Sequence, residues 1–389
     1  MTDPSSAPHP RVSEISTLVI GGGIVGTCLG GFLAGEGDDV AVIDAGWPAG
    51  SIANAGSIHV QMQSQFMSDY PQYIPRLERS LNLYRQAVPF WKRFQDDLGV
   101  DCELRITGGL MIAEDRRQLD FLSKKCRREV ELGLDVAILT RPELAKLAPY
   151  LGPAVIGAEF CPAEGKVNPL LANTAIRRWA NGRGAVLLHE EPVLRLELEG
   201  KAFRATTSRG IIRAGRVALA AGFASKDLAA QLSIELPAEA DPLHMNITEG
   251  TTPFIGHLVQ HADRPITLKQ LGGGQVVIGG GWPAGLGTPG TIPIVKLSSI
   301  IGNVSLAQHI IPQIAQLRII RTWAGINTFV DGCGILGRID AVPGLFFAIP
   351  GSAGYTLGPL SARLVADCIL GRDPSEDISA CSVDRFSAP

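Results

Sequence analysis

The sequence predicts a mixed α/β chain, α+β overall, in which a domain of alternating strands and helices carries a second domain built on a mixed or antiparallel β-sheet. Three observations predict this. Residues 17–44 read as strand, glycine turn, helix and strand, and end on an acid. Strand–loop–helix segments return near 165–230 and 335–371. The pieces between, near 240–320, are β-rich. One domain assembled from three separated segments, with another inserted into it, accounts for all three.

Within the first stretch, Leu18, Val19 and Ile20 form a short apolar strand, and Gly21, Gly23 and Gly26 follow at G-x-G-x-x-G spacing. In that pattern the first glycine permits the sharp turn, the second lets backbone approach a pyrophosphate, and the third lets the helix sit close on the strand. Ile24 and Val25 open a helix whose Val25, Leu29 and Leu33 recur at the spacing of a buried stripe. Its N-terminus offers free N–H groups and a positive dipole end to phosphate. Val40–Ile43 is the second strand, and Asp44, about 20 residues past the glycines, stands where an acid holds a ribose hydroxyl. The first domain is therefore expected to be Rossmann-type. Residues 18–35 carry no charge, which raises the alternative of a membrane span, but glycines at 21, 22, 23, 26, 30, 31 and 35 and strand-like flanks argue against one.

The 389 residues suffice for two domains with full cores. A hydrophobic content of 46% with 19% charged residues is that of a globular chain. The net charge of −3, without a basic cluster, excludes nucleic acid as the expected partner. The seven cysteines lie scattered with no C-x-x-C pair, which argues against a metal site or Fe–S cluster in this chain and fits a reducing compartment. Residues 1–12 read as a flexible N-terminal arm without the apolar core of a signal peptide. A cytoplasmic chain without a transmembrane segment is expected, reaching a membrane only through a partner.

Taken in order, Ser51–Ser57 is rich in small residues that would let backbone run close to a flat ligand. Leu77 to Leu98 is an amphipathic helix, kinked or interrupted at Pro89. Asp115 to Gly133 is a charged helix with Leu119, Leu122 and Val130 inward and its Lys/Arg run at 124, 125, 127 and 128 on a solvated face. Thr140 and Glu143 have capping-box spacing, and Asn168 with Pro169 opens a second long helix. Strands follow at 186–188, 193–198, 203–207 and 211–213, and a buried one at 216–221 closes on Gly222. A helix is expected around 294–311, a strand at 345–348, a glycine-rich loop at 351–359 and a last helix at 360–370.

Together the 21/23/26 glycines with Asp44, the 51–56 loop, Glu164–Pro169, Ala220–Gly222, Val277–Gly280, Arg321–Gly325 with Asp331 and Gly332, and the 351–359 loop resemble the D-amino-acid oxidase-like family of FAD enzymes. Within it, Asn54–Gln63 and Arg321–Asn327 look most like the B subunits of the opine (octopine and nopaline) oxidases. The resemblance implies a discontinuous FAD-binding domain (13–85, 150–235 and 322–380) and a substrate-binding domain (86–149 and 236–321). For FAD it implies contacts from Gly21, Gly23, Ile24, Val25, Gly26, Asp44 and Ala45. Ser51, Asn54, Ala55, Gly56 and Ser57 are implied next. Val193, Ala221, Gly222, Gly325, Gly354, Tyr355, Thr356 and Gly358 complete the implied set. It implies oxidation of a C–N bond in a secondary amine or amino acid, with hydride transfer to flavin N5 and hydrolysis of the imine. In the opine group it also implies a partner chain that carries an Fe–S cluster. A stand-alone amine oxidase reducing oxygen and a non-catalytic electron-relay protein remain as alternatives.

Several relatives carry an Arg after the glycine matching Gly325 that clamps the substrate carboxylate; here the run is Gly325-Ile326-Asn327. The bidentate guanidinium is missing, so Asn327 is expected in the pocket, and the substrate is expected either to be held by another cation or not to be a simple α-amino acid. His59 and Lys269 are candidate substrate contacts, and Tyr355 in the glycine loop is expected to face the ring. No catalytic metal is expected.

Overall fold

The structure, a computed structural model, describes residues 11–47, 50–288 and 292–386. Residues 1–10 of the expected arm lie outside them, and residues 11 and 12 already belong to the first strand. In the first of two large sheets, Val186–Leu188, Val40–Ile43, Arg11–Ile20, Gly210–Leu219 and Leu345–Ile349 run parallel in that order. In chain order these are strands 3-2-1-4-5, the dinucleotide-binding arrangement, whose ligand crevice opens at the C-terminal ends of the central strands. Burial on both faces explains the unbroken apolar runs at 40–43 and 345–349. The helix Ile24–Gly35 lies against Pro169–Gly182 and Gly354–Ile369 on one face of this sheet.

The second sheet runs Ile319–Phe329, Glu239–Gly250, Gln275–Gly279, Thr267–Gln270, Leu258–His261, Gly109–Ala113, Gly157–Cys161 and Ala137–Thr140. It is antiparallel except where Leu258–His261 meets Gly109–Ala113, so it is the mixed sheet expected. Alternation sorts its faces. Leu268 and Ile278 pair and point into a core under helix Leu297–Ile310. Lys269, Val277 and Ile247, one residue along, share the opposite face. Asp241 and Asn327 are cross-strand partners, as are Leu243 and Gly325.

Strands Gly157–Cys161 and Ile319–Phe329 both belong to the second sheet, across the boundaries expected at 150 and 322. Helix Ile74–Leu98 runs without a break through Pro89 and through the boundary expected at 85/86. Its Trp91 supports the C-terminal helix. The C-terminal helix starts at Gly354, inside the expected glycine loop, and contains Pro359. Proline lacks the N–H that would bond the carbonyl four residues back, which here is that of Tyr355. The Trp91 indole N–H donates to the Tyr355 carbonyl at 3.2 Å and to that of Thr356 at 3.0 Å, so the freed acceptor is satisfied.

The charged helix, Arg116–Glu131, is capped by the Asp115 carboxylate on the Gln118 N–H at 2.7 Å and does not turn its whole Lys/Arg run to solvent as expected. Its inward face carries Gln118, Leu122, Lys125, Cys126 and Glu129, so Lys125 is only 3% exposed while Val130 is 53% exposed. The capping box at Thr140/Glu143 and the Asn168 cap with Pro169 behind it both form.

Candidate active site

The glycine turn stands at the crest of the first sheet. Gly21 has φ +119°, which L side chains avoid, and its N–H donates to the Ile43 carbonyl at 2.8 Å. A Cβ on Gly26 would lie 1.8 Å from the Gly21 carbonyl oxygen, so only glycine lets the helix begin there. Gly23 caps the helix, and Ser51 Oγ accepts the Ile24 N–H at 2.9 Å. The Asp44 carboxylate accepts N–H groups from Gly22 at 2.8 Å and Gly46 at 2.7 Å. Ala45, half-buried, follows it. A cavity of about 220 Å³ opens here, lined among others by Gly22, Gly23, Asp44, Ser51, Asn173 and Arg177. Sequence reasoning missed Asn173 and Arg177. They lie on the helix that Asn168 caps, and only its packing beside Ile24–Gly35 brings them to the cavity. Val25 faces the core, and Val193 packs against the core of the first sheet rather than lining this cavity.

From the cavity the chain passes between the two sheets. Asn54 Oδ1 accepts the Gly56 N–H at 2.7 Å, fixing the turn that Ala55 occupies. Ser57 and Ile58 pair with Lys166 and Gly165. The His59 N–H donates to Thr356 Oγ1 at 3.0 Å, which ties this segment to the start of the C-terminal helix. Across from it, Lys269 Nζ donates to Ser57 Oγ at 2.6 Å. Lys269 is buried, and burial, with Lys166 nearby, pulls its pKa down to about 7. Burial, and then the Lys269 charge, push His59 down to about 3, so its ring is neutral. Among the described residues no carboxylate forms an ion pair with Lys269.

Strand Ile319–Phe329 presses on the turn at Gly50–Ala53: a Cβ on Gly325 would meet that of Ala53 at 2.5 Å, and Trp323 Nε1 donates to the Ala53 carbonyl at 2.8 Å. Asn327 Nδ2 donates to Asp241 Oδ2 at 3.2 Å, and burial raises the Asp241 pKa. A Cβ on Gly222 would lie 2.8 Å from Thr328 Oγ1, so the turn after the fourth parallel strand also touches this strand. The Ala221 N–H donates to Ser225 Oγ at 3.1 Å. Gly358 lets the C-terminal helix approach Ile24, whose Cγ2 would be 3.1 Å from an added Cβ.

The structure thus gathers Ser57, His59, Lys269 and Thr356 in one place, and sets Asn327 beside Asp241 on the adjoining strands. Tyr355 departs from the expectation that it faces the ring. It is 3% exposed, its ring stacks on Trp91 with centroids 5.9 Å apart, and its hydroxyl reaches the Pro169 carbonyl and Asn173 Oδ1, each at 3.3 Å. Once the glycine segment is helical, position 355 points into the helix layer and position 356 toward Ser57.

Sheet order, glycine cradle and terminal acid define a dinucleotide-binding protein. The chain belongs to the DAO family, described as FAD dependent oxidoreductase, whose profile matches residues 16–368. It is similar to the B subunit of opine oxidase from Rhizobium meliloti, 26% identical over 96% of this chain and 98% of that protein. It is similar also to the beta subunit of sarcosine oxidase from an Arthrobacter species, 25% identical over 97% of this chain and 92% of that protein. Among solved structures, glycine oxidase from Geobacillus kaustophilus superposes with a TM-score of 0.86 at 24% identity, over 97% of this chain and all of that one. L-proline dehydrogenase from P. horikoshii gives 0.81 at 24% identity, over 97% and 98%.

The chain is an FAD-dependent oxidoreductase, and its residues fit the cofactor. The Gly21–Gly26 cradle, where a Cβ has no room, and the helix N-terminus with Arg177 beside it suit a pyrophosphate. Acid precipitation of the purified protein is expected to release free FAD; release of a nicotinamide, or of no chromophore, would contradict the assignment. Among the described residues, no group of three or more His, Cys, Asp or Glu is placed to hold a metal ion, and no helix is long and apolar enough to cross a membrane.

Proposed function

We propose that this chain oxidises the C–N bond of a secondary amine carrying carboxylates, an opine, as the catalytic flavoprotein of a heteromeric dehydrogenase in the cytoplasm. The observation that carries the reading is Lys269. A buried ammonium ordinarily has an anionic partner. Lys269, on the sheet face that meets the Ser57–His59 segment, donates to a serine hydroxyl and, among the described residues, pairs with no carboxylate. The missing anion is the substrate's carboxylate. Bound FAD supplies the hydride acceptor. The chain's own residues then have three tasks: Lys269 anchors the carboxylate, neutral His59 offers a hydrogen bond without adding charge, and Asn327 with Asp241 receives the distal end of the substrate.

Relatives named as subunits of larger oxidases, and the absence of C-x-x-C pairs here, support a partner with an Fe–S cluster as electron acceptor. Hydrogen peroxide released in proportion to aerobic turnover would instead identify a stand-alone oxidase.

Substrate choice is testable at Asn327. The sequence alone suggests that Asn327→Arg should favour simple amino acids. Asp241, directly opposite, would capture the new guanidinium. The single variant is therefore expected to leave the opine-to-amino-acid ratio of kcat/KM nearly unchanged. Asn327→Arg with Asp241→Asn is expected to move it by about tenfold or more, about 1.4 kcal/mol of differential transition-state binding. A double variant that folds, holds FAD and keeps the original ratio would place Asn327 outside the pocket.

A further inference from the structure

Beside the Ser57–His59 segment lies a buried polar cluster that the proposed oxidation does not use. The Val60 and Gln61 N–H groups donate to Glu164 Oε1 at 2.7 and 3.0 Å, and the Met62 N–H donates to Glu129 Oε1 at 2.5 Å. Three consecutive amides are thus held by two carboxylates from distant parts of the chain. Side-chain amides of Gln61 and Gln260 donate to Glu164 Oε2 at 2.9 and 3.0 Å, so four donors converge on one carboxylate. Lys125 stands between, with Nζ 2.6 Å from Glu159, 3.0 Å from Glu129 and 3.3 Å from Gln61 Oε1. Strand Gly109–Ala113 makes room for the arrangement: a Cβ on Gly109 would lie 1.9 Å from Glu164 Oε2. Glu129, Glu159 and Glu164 show no exposure at all.

We propose that Glu164 is a positioning residue for the oxidation, holding the Val60–Met62 strap against the second sheet through a cluster with Lys125 and Glu129 so that His59 keeps its place opposite Lys269. This rests on the functional reading of Lys269 and His59. The strap is pinned at its other end by Thr356 and by pairing with Lys166, so Glu164 is the link that fixes it to the sheet bearing Lys269. The titratable and charged groups around it are Lys125, Glu129 and Cys126 from the helix, Glu159 and Cys161 from the neighbouring strand, and His59 from the strap; Gln260 is neutral. Three carboxylates share one ammonium, and burial pushes Glu159 up to about 8 and Glu164 up to about 7. Because the folded pKa of Glu164 lies above its ordinary 4.5, its contribution to stability is present below 4.5 and lost as pH rises through about 7.

The test compares wild type, Glu164→Gln and Glu164→Asp as full-length, FAD-loaded protein. Glu164→Gln is expected to lower kcat by about 10–100-fold while KM moves far less, to change the visible circular dichroism of the flavin, and to abolish the part of the Tm–pH curve that falls near pH 7. Glu164→Asp is expected to recover most of kcat and the flavin signal. If Glu164→Gln does not fold, Glu164→Asp decides: its residual loss must fall in kcat rather than KM, with the flavin signal close to wild type and the Tm–pH curve displaced. Wild-type kcat, flavin signal and Tm–pH curve in the variants would overturn the proposal, as would equal loss of activity and FAD in both, which marks structural collapse. If no amine reduces even the wild type, the functional reading fails, while the flavin signal and Tm–pH curves still decide the role of Glu164.

Discussion

Gly23→Val is expected to give folded, colourless protein. Gly23 has φ −69° and ψ −175°, an extended conformation open to any residue, so valine brings no backbone strain. What glycine provides is space. An added Cβ would point at Ser51 Oγ, 2.9 Å away, across the cavity of about 220 Å³ at the helix N-terminus. The valine methyls would stand where backbone meets the pyrophosphate, and they would displace the Ser51 hydroxyl from the Ile24 N–H. Gly21→Val is the contrasting case. With φ +119° and the Ala220 carbonyl oxygen 2.4 Å from an added Cβ, it is expected to damage the sheet itself. The measurement is the ratio of flavin to protein beside far-ultraviolet circular dichroism and Tm. A yellow, fully loaded Gly23→Val protein would contradict the cradle.

Lys269→Met is expected to leave FAD bound and to raise KM for a carboxylate-bearing amine by about 10–150-fold. That is the loss of one hydrogen bond to a charged group, about 1.5–3 kcal/mol. Methionine fills the stem's volume, so the effect reads the charge. The wild type carries a pH signature of the same contact. With Lys269 lowered from 10.5 to about 7, the ammonium is present below pH 7 and titrates away above it. KM is expected to be level below about pH 7, to rise about tenfold per unit above it, and to lose this dependence in Lys269→Met. Carboxylate binding restores a partner to the ammonium and raises its pKa, so binding at neutral pH takes up protons. A depressed lysine pKa also means that stability rises with pH between about 7 and 10.5, since the unfolded chain binds the extra proton there. A pH-independent KM, unchanged in the variant, would remove Lys269 from the pocket.

How much is legible in the sequence follows the range of each interaction. The Gly21–Asp44 unit is local: one turn, one helix and one strand fix its geometry, and the spacing reports it. The Asn168 cap and the Thr140/Glu143 box are local too. Tyr355 reads as a loop residue because the segment's glycines and Pro359 resemble a loop, whereas Trp91, far away in the chain, satisfies the carbonyl that the proline leaves free. Lys125 reads as solvated because it stands in a run of charges, but Glu159 lies 34 residues on and meets it only where helix Arg116–Glu131 packs on strand Gly157–Cys161. The Asn327–Asp241 contact spans 86 residues and depends on strand register. Periodicity assigns a side chain to a face; it does not say which strand will face it.

Whether this flavoprotein itself oxidises a carboxylate-bearing amine is decided by anaerobic mixing of the purified FAD-loaded chain, without any partner, with opines, proline derivatives, glycine and sarcosine. An opine is expected to bleach the yellow absorption of the flavin, and glycine to do so poorly or not at all. A flavin that dithionite bleaches but that no amine of the panel reduces would contradict it.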